Sequence, residues 1–236
     1  GVSDSSVDGY FSMNYGGTDI TTLQKVSDNE IDMGTGTLFT SDQRGFAISV
    51  NGAAFNSSYT VGPGRFTNVQ INHNEIVNLK PNRRGIGLWN DSSPLGGGDV
   101  TAVIIDNEIS GSAGDVTGTI GIRLLGLIND TVIRANTLTK LGTGIQLRNW
   151  NGGNGTDALI TKNVITQVGL GLELQDGSSG NIVASNKIYA SGSYAVTMSA
   201  GTSGNAVVVN HLRAGSLTGD ATVQNLGANI VGGNIR

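Results

Sequence analysis

The chain has 236 residues, a net charge of −4, 37 Gly and no Cys. Without cysteine there is neither a disulfide framework nor a thiolate metal site, and without a basic run there is no footprint for a nucleic-acid backbone. Gly stands at about twice its usual share of roughly 7% without the every-third-residue period of collagen, no apolar run reaches membrane-span length, and no signal peptide opens the chain.

Taken in chain order, residues 1–25 lack any repeated phrase and read as an irregular or strand-bearing start with no amphipathic capping helix. The chain opens on Gly1 rather than Met, which points to a mature or excised form. From residue 26 to 236 one phrase returns: "VSDNEI", "INHNEI", "IIDNEI", "IRANTL", "ITKNVI", "VASNKI", "VVVNHL" and "VGGNIR". Its Asn residues are Asn29, Asn74, Asn107, Asn136, Asn163, Asn186, Asn210 and Asn234, at spacings of 45, 33, 29, 27, 23, 24 and 24. A fixed unit of about 24 residues carrying loops that shorten towards the C-terminus gives this series. A second phrase follows in each unit: "GFAIS", "GIGLW", "GIRLL", "GIQLR", "GLELQ" and "AVTMS". Apolar residues alternate in both phrases, which is the period of a strand, and no helical stripe runs anywhere.

Units this short cannot satisfy their own backbone groups and must stack. Stacking puts Ile71, Ile104, Ile133, Ile160, Val183 and Val207 in one internal column. It puts Ile76, Ile109, Leu138, Ile165, Ile188 and Leu212 in another. The expected fold is all-β, a right-handed parallel β-helix of about eight turns, roughly 35–40 Å long at ~4.8 Å per turn. The Asn is expected at the bend, both because it tolerates left-handed backbone and because inward amides of successive turns pair as a ladder.

The N-x-I phrases followed by G-I-x-L resemble the pectate-lyase-like superfamily of right-handed β-helices, closest to its NosD-like and mannuronan-epimerase-like repeats. The resemblance runs from residue 26 to about residue 225. It implies secreted work on polysaccharides, among lyases, hydrolases, epimerases, tailspikes and adhesins. If catalytic, the chain would then be a polysaccharide lyase or epimerase. The D-P-H-D motif of the epimerases and the hydrolase carboxylate set are both missing from the sequence.

On the second strand the outward positions form two columns. One reads Ala47, Gly87, Arg123, Gln146, Glu173, Thr197; the other reads Ser49, Trp89, Leu125, Arg148, Gln175, Ser199. Trp89, Arg123, Gln146, Arg148, Glu173 and Gln175, with Trp150 just beyond, are the candidate sugar contacts. Aromatic faces stack on sugar C–H surfaces, and Arg pairs with uronate carboxylates. Arg123, Arg148 and Glu173 are the weak catalytic candidates. The competing reading is an ordinary solvated face, with Arg–Glu173 pairs for solubility.

Long loops are expected at Ala53 to Phe66 and Leu79 to Trp89, with Arg83–Arg84 read as a solvated tip in preference to a contact for an acidic polymer. His73 and His211, each next to a ladder Asn, read as surface packing. No cofactor is implied; Asp91, Asp106, Asp130 and Asp176 suggest at most a weak calcium site. The leading expectation is a secreted or cell-surface (or periplasmic) β-helix that binds, and cleaves or epimerises, an acidic polysaccharide. The alternative is a non-catalytic adhesive or structural rod from a cell-surface or phage fibre. Polysaccharide is the expected partner, with no nucleic acid and no membrane span. The ends show no cap, which points to an oligomer partner or to a neighbouring domain of a longer protein.

Overall fold

A computed structural model of the protein describes residues 2–3, 6–7, 11–14, 23–34, 45–51, 66–90, 100–126, 128–148, 157–175 and 177–236. The strands wind as one right-handed parallel β-helix, all-β, with three faces per turn. The first face is a nine-stranded parallel sheet running from Val2–Ser3 to Ala228–Gly232. The second face carries Glu30–Asp32, Glu75–Leu79, Glu108–Gly111, Lys187–Ala190 and His211–Ala214. The third carries Phe46–Asn51, Arg84–Asn90, Ile120–Gly126, Val196–Met198 and Val223–Asn225. Strands Thr137–Arg148 and Val164–Gln175 run through both, kinked where Lys140 and Gln167 take φ values of 54° and 57°.

Both internal columns form in register. Val26, Ile71, Ile104, Ile133, Ile160, Val183 and Val207 pair turn on turn. Ile31, Ile76, Ile109, Leu138, Ile165, Ile188 and Leu212 do the same on the second face. All of these side chains are at most 2% exposed. The first 25 residues, expected as an irregular or strand-bearing start, contribute strands at Val2–Ser3, Ser6–Val7 and Phe11–Asn14. These pair in parallel with Gln24–Ser27, Glu30–Asp32 and Phe46–Asn51.

The repeated Asn residues form a continuous internal ladder. Each Nδ2 donates to the Oδ1 of the Asn one turn on, at 2.8–3.0 Å from Asn29 through to Asn234. The same Oδ1 also accepts the backbone N–H of the preceding Asn, as at Asn107 Oδ1 from Asn74 N (3.0 Å). The ladder ends on a carboxylate: Asp220 Oδ1 accepts from Asn234 Nδ2 (2.6 Å) and Asn234 N (3.1 Å). Asp220 sits on the short 3₁₀ turn Gly219–Thr222, whose Gly219 and Thr222 are buried, and this turn caps the ladder where no cap was expected.

One part of the sequence argument needs correction. The left-handed residue at the bend is not the Asn but the residue before it. Asp28, His73, Asp106, Ala135, Lys162, Ser185 and Val209 take φ between 49° and 59°, followed by Gly233 at 67°. The Asn is selected for its amide rather than its backbone.

The Gly of the second phrase has a separate cause. A Cβ at Gly85, Gly121, Gly144 or Gly171 would lie 2.5–2.7 Å from a carbonyl oxygen of the following turn. At Gly144 and Gly171 it would also meet the Ile165 or Ile188 side chain. The inner edge of the third face therefore packs backbone against backbone, and Ala195 ends this series.

Asn163→Leu would strand the amides above and below it at roughly 1–3 kcal/mol for each buried group left unpaired. Asp220→Ala would do the same to Asn234 alone. Urea titration should therefore rank Asn163→Leu below Asp220→Ala, and both below wild type. Gly144→Ala should lose about 1–3 kcal/mol through overpacking. Gly232→Ala, where a Cβ meets nothing within 4 Å, should be neutral or slightly stabilising in the same titration.

Candidate functional site

The third face stacks polar side chains in register. Arg123 pairs with Gln146, Gln146 with Glu173, Glu173 with Thr197 and Thr197 with Gln224. Beside them, Trp89 pairs with Leu125, Leu125 with Arg148 and Arg148 with Gln175. Alternation along each strand turns these residues outward while Ile122, Leu124, Ile145, Leu147, Leu172 and Leu174 fill the core.

At the N-terminal end the columns differ from expectation by two residues. Ile48 pairs with Ile86, so Ser49 rather than Ala47 lies opposite Gly87, and Asn51 rather than Ser49 lies opposite Trp89. Ala47 instead falls beside Gly85, in the tight inner position that glycines fill in the next four turns. Matching "GFAIS" to "GIGLW" by its first Gly misplaces that strand, because the small residue that matters is the Ala.

Glu173 is the centre of the row. Gln146 Nε2 donates to Glu173 Oε2 at 2.6 Å, and Gln175 Nε2 donates to Glu173 Oε1. One donor comes from the preceding turn and one from Glu173's own strand, so both carboxylate oxygens are held by amides. Gln146 Oε1 is buried without a hydrogen-bond partner. Trp89, Arg123, Gln146, Arg148, Glu173 and Gln175 are all half-buried. Leu125, in register between Trp89 and Arg148, is only 4% exposed despite its outward position.

Towards the first turns the face closes further. The Phe46 ring lies across Gly87, where a Cβ would come within 2.1 Å of it, and the Arg84 guanidinium carbon stands 5.4 Å from the ring centroid. Arg83 and Arg84 are 6% and 8% exposed. The expectation of a solvated Arg–Arg loop tip is therefore wrong. Leu79 to Trp89 is no long loop but a tight turn, closed by Arg83 N–H to the Lys80 carbonyl (3.0 Å), leading straight into a strand. The Arg84 cation lies over the Phe46 ring, a contact that offsets part of the cost of its burial.

Trp150, Asp91, Asp176 and the stretch 52–65 lie outside the described residues. Asp106 and Asp130 occupy two different bends, one before Asn107 and one before Thr131, and are not brought together. Among the described residues no three His, Asp or Glu side chains are grouped as metal ligands. His73 stands between Asp28 Oδ1 and Asp106 Oδ2, 3.7 Å from each, one carboxylate on either adjoining turn. His211 packs edge-on against Tyr189 with ring centroids 5.3 Å apart, its Nε2 3.2 Å from the Tyr189 hydroxyl.

A second amide ladder escaped the sequence reading. Asn181 Nδ2 donates to Asn205 Oδ1 and Asn205 Nδ2 to Asn229 Oδ1, both at 2.7 Å, at the bend that leads back to the first face. Its signal was the phrase "SGNIV", "SGNAV", "GANIV", spaced by 24 and 24 like the last units of the main ladder. Comparison of the chain with protein-family models and with curated proteins gives no match.

Proposed function

We propose that the third face binds a linear acidic polysaccharide lying along the rod, and that the protein works outside the cell or at its surface. The finer kinship, with the pectate-lyase-like β-helices, belongs to the same proposal and rests on the repeat phrases. The observation that carries the reading is the in-register pair of columns, with Arg123 and Arg148 one turn and two residues apart and amides and a carboxylate alongside. Two guanidiniums so spaced suit successive carboxylates of a polyuronate, each taken as a charge-assisted bidentate pair. Trp89 offers a ring face for a sugar's C–H surface. Gln175 and Glu173 address hydroxyls. Turns repeating every ~4.8 Å give an extended polymer equivalent contacts along its length.

The reading is of binding rather than turnover. Glu173, the carboxylate among the catalytic candidates, has both oxygens engaged by Gln146 and Gln175, which suits a positioning group better than a general base. That same engagement favours a second reading, the non-catalytic structural or adhesive rod, in which the amides and carboxylate satisfy one another and no ligand is needed.

Titration calorimetry with polyuronate oligomers and with a neutral glucan separates the two. Wild type should bind the polyuronate alone. Arg148→Ala should weaken binding about 10–100-fold, the worth of one charged hydrogen-bonded contact, with its thermal unfolding unchanged. Wild type that ignores every polyuronate at millimolar concentration would leave the rod reading in possession.

A further inference from the structure

From Glu30–Asp32 to His211–Ala214 the outward columns of the second face carry a pattern that the core does not require. In one column Glu30, Glu75 and Glu108 stack on successive turns, Thr137 and Val164 follow, then Lys187 and His211, with Ile235 one turn beyond. The neighbouring column opens on Asp32 and Val77, passes Ser110, Thr139 and Thr166, and ends on Tyr189 and Arg213. None of these side chains is buried. The bend beside them repeats the sense, with Asp28 and Asp106 in the early turns and Lys162 later.

Stacking like charges at the ~4.8 Å strand spacing is unfavourable within one rod. Three glutamates over one another repel unless something opposite compensates; beside them Asp28 and Asp106 are separated by the His73 ring. The compensating arrangement is on the same face. The outer turns of both columns carry opposite signs about the turn that holds Thr137 and Thr139, while next to that turn Glu108 falls opposite Val164 and Ser110 opposite Thr166. Reversing the rod about a two-fold axis along that strand sets Glu75 against Lys187, Glu30 against His211, Asp32 against Arg213 and Asp106 against Lys162. It also lays Val77 against the Tyr189 ring and Thr139 against itself.

We propose that the second face is the contact surface of an antiparallel homodimer, the partner being a second copy of this chain. The proposal stands apart from the polysaccharide reading, which concerns the third face. A C2 contact must be self-complementary, residue i meeting j as j meets i, and three opposite-charge pairs obey that rule here with one choice of axis. Lys140, the charged side chain of the central turn's kink, lies at the edge of the face beyond Thr139. A patch about 30 Å by 12 Å is small beside the ~800 Å² per partner of a standard interface. The pair is therefore weak, electrostatic and salt-labile.

Sedimentation analysis at about 20 mM and about 500 mM salt tests this on the protein as it stands. Wild type should dimerise reversibly at on the order of 100 μM in low salt and be monomeric in high salt. Lys187→Glu with Arg213→Glu, and separately Asp32→Lys with Glu75→Lys, should each be monomeric at both. Mixed one to one, the two variants should form a heterodimer, because every reversed position then faces its opposite charge on the other variant. Circular dichroism melts establish that both variants fold. In this cysteine-free chain, Thr139→Cys should be crosslinked to a dimer by a short bismaleimide in low salt only. Wild type monomeric at that concentration overturns the proposal. So do charge-reversed variants that associate like wild type, a mixture that stays monomeric, or a ladder of higher species, which would mean end-to-end stacking instead.

Discussion

The structure depends on one interaction, the buried amide that bridges each turn to the next. A strand that must bend sharply at every turn leaves peptide groups facing a dry interior, where each unpaired group costs about 1–3 kcal/mol. The Asn side chain meets that demand from both sides. Its Nδ2 donates to the next Asn and to carbonyls of its own and the preceding turn, as Asn107 does to Ile105 and Ile71. Its Oδ1 accepts from the previous turn's side chain and backbone together. The cost of the bend falls on the neighbour held in left-handed backbone. That neighbour ranges from Asp28 to Lys162 to β-branched Val209, the least suited of them to φ > 0. Such variety is tolerated because the ladder, and not the left-handed residue, fixes the bend.

The ladder also sets the register of everything outside it. Once Asn136 is fixed over Asn107, Leu138 must lie over Ile109, and Thr137 and Thr139 must face outward. A slip of one residue would turn the whole column inside out. Inner columns are thus interchangeable from turn to turn, and outer columns are free to differ. The glycines at Gly85, Gly121, Gly144 and Gly171 are the second such constraint, holding the third face close enough for its backbone to meet that of the next turn.

The Asn spacing and the alternation around it made the solenoid, its two internal columns and the main ladder legible in the sequence, because those residues answer to packing alone. The misreadings have local causes. "GFAIS" was aligned by Gly45, whereas the packing constraint acts on Ala47. Arg83 and Arg84 looked solvated because sequence does not reveal the Phe46 ring that covers Arg84 from a strand 38 residues away. The second ladder was hidden by its shortness: it spans only the last turns, and Thr131 and Ala158 occupy its place earlier. The third-face row was legible as alternation, but not the hold that Gln146 and Gln175 have on Glu173, since that depends on which amides rotate inward.

The two outer faces bear on each other through geometry. A two-fold axis along the strand of the central turn keeps strand direction while reversing the rod, so the third faces of both copies lie on the same flank of the pair and run in opposite senses. Polymer bound to one row would then lie beside the row of the second copy. A linked second site raises apparent affinity through effective concentration without any new contact, which matters for a surface whose individual contacts are half-buried and few. A solitary rod that binds as proposed would offer one track along its length; a paired one would offer two, antiparallel, from the same short repeat. The weak charge pairing of the second face and the stacked row of the third would then serve a single end, with the amide ladder holding both in register.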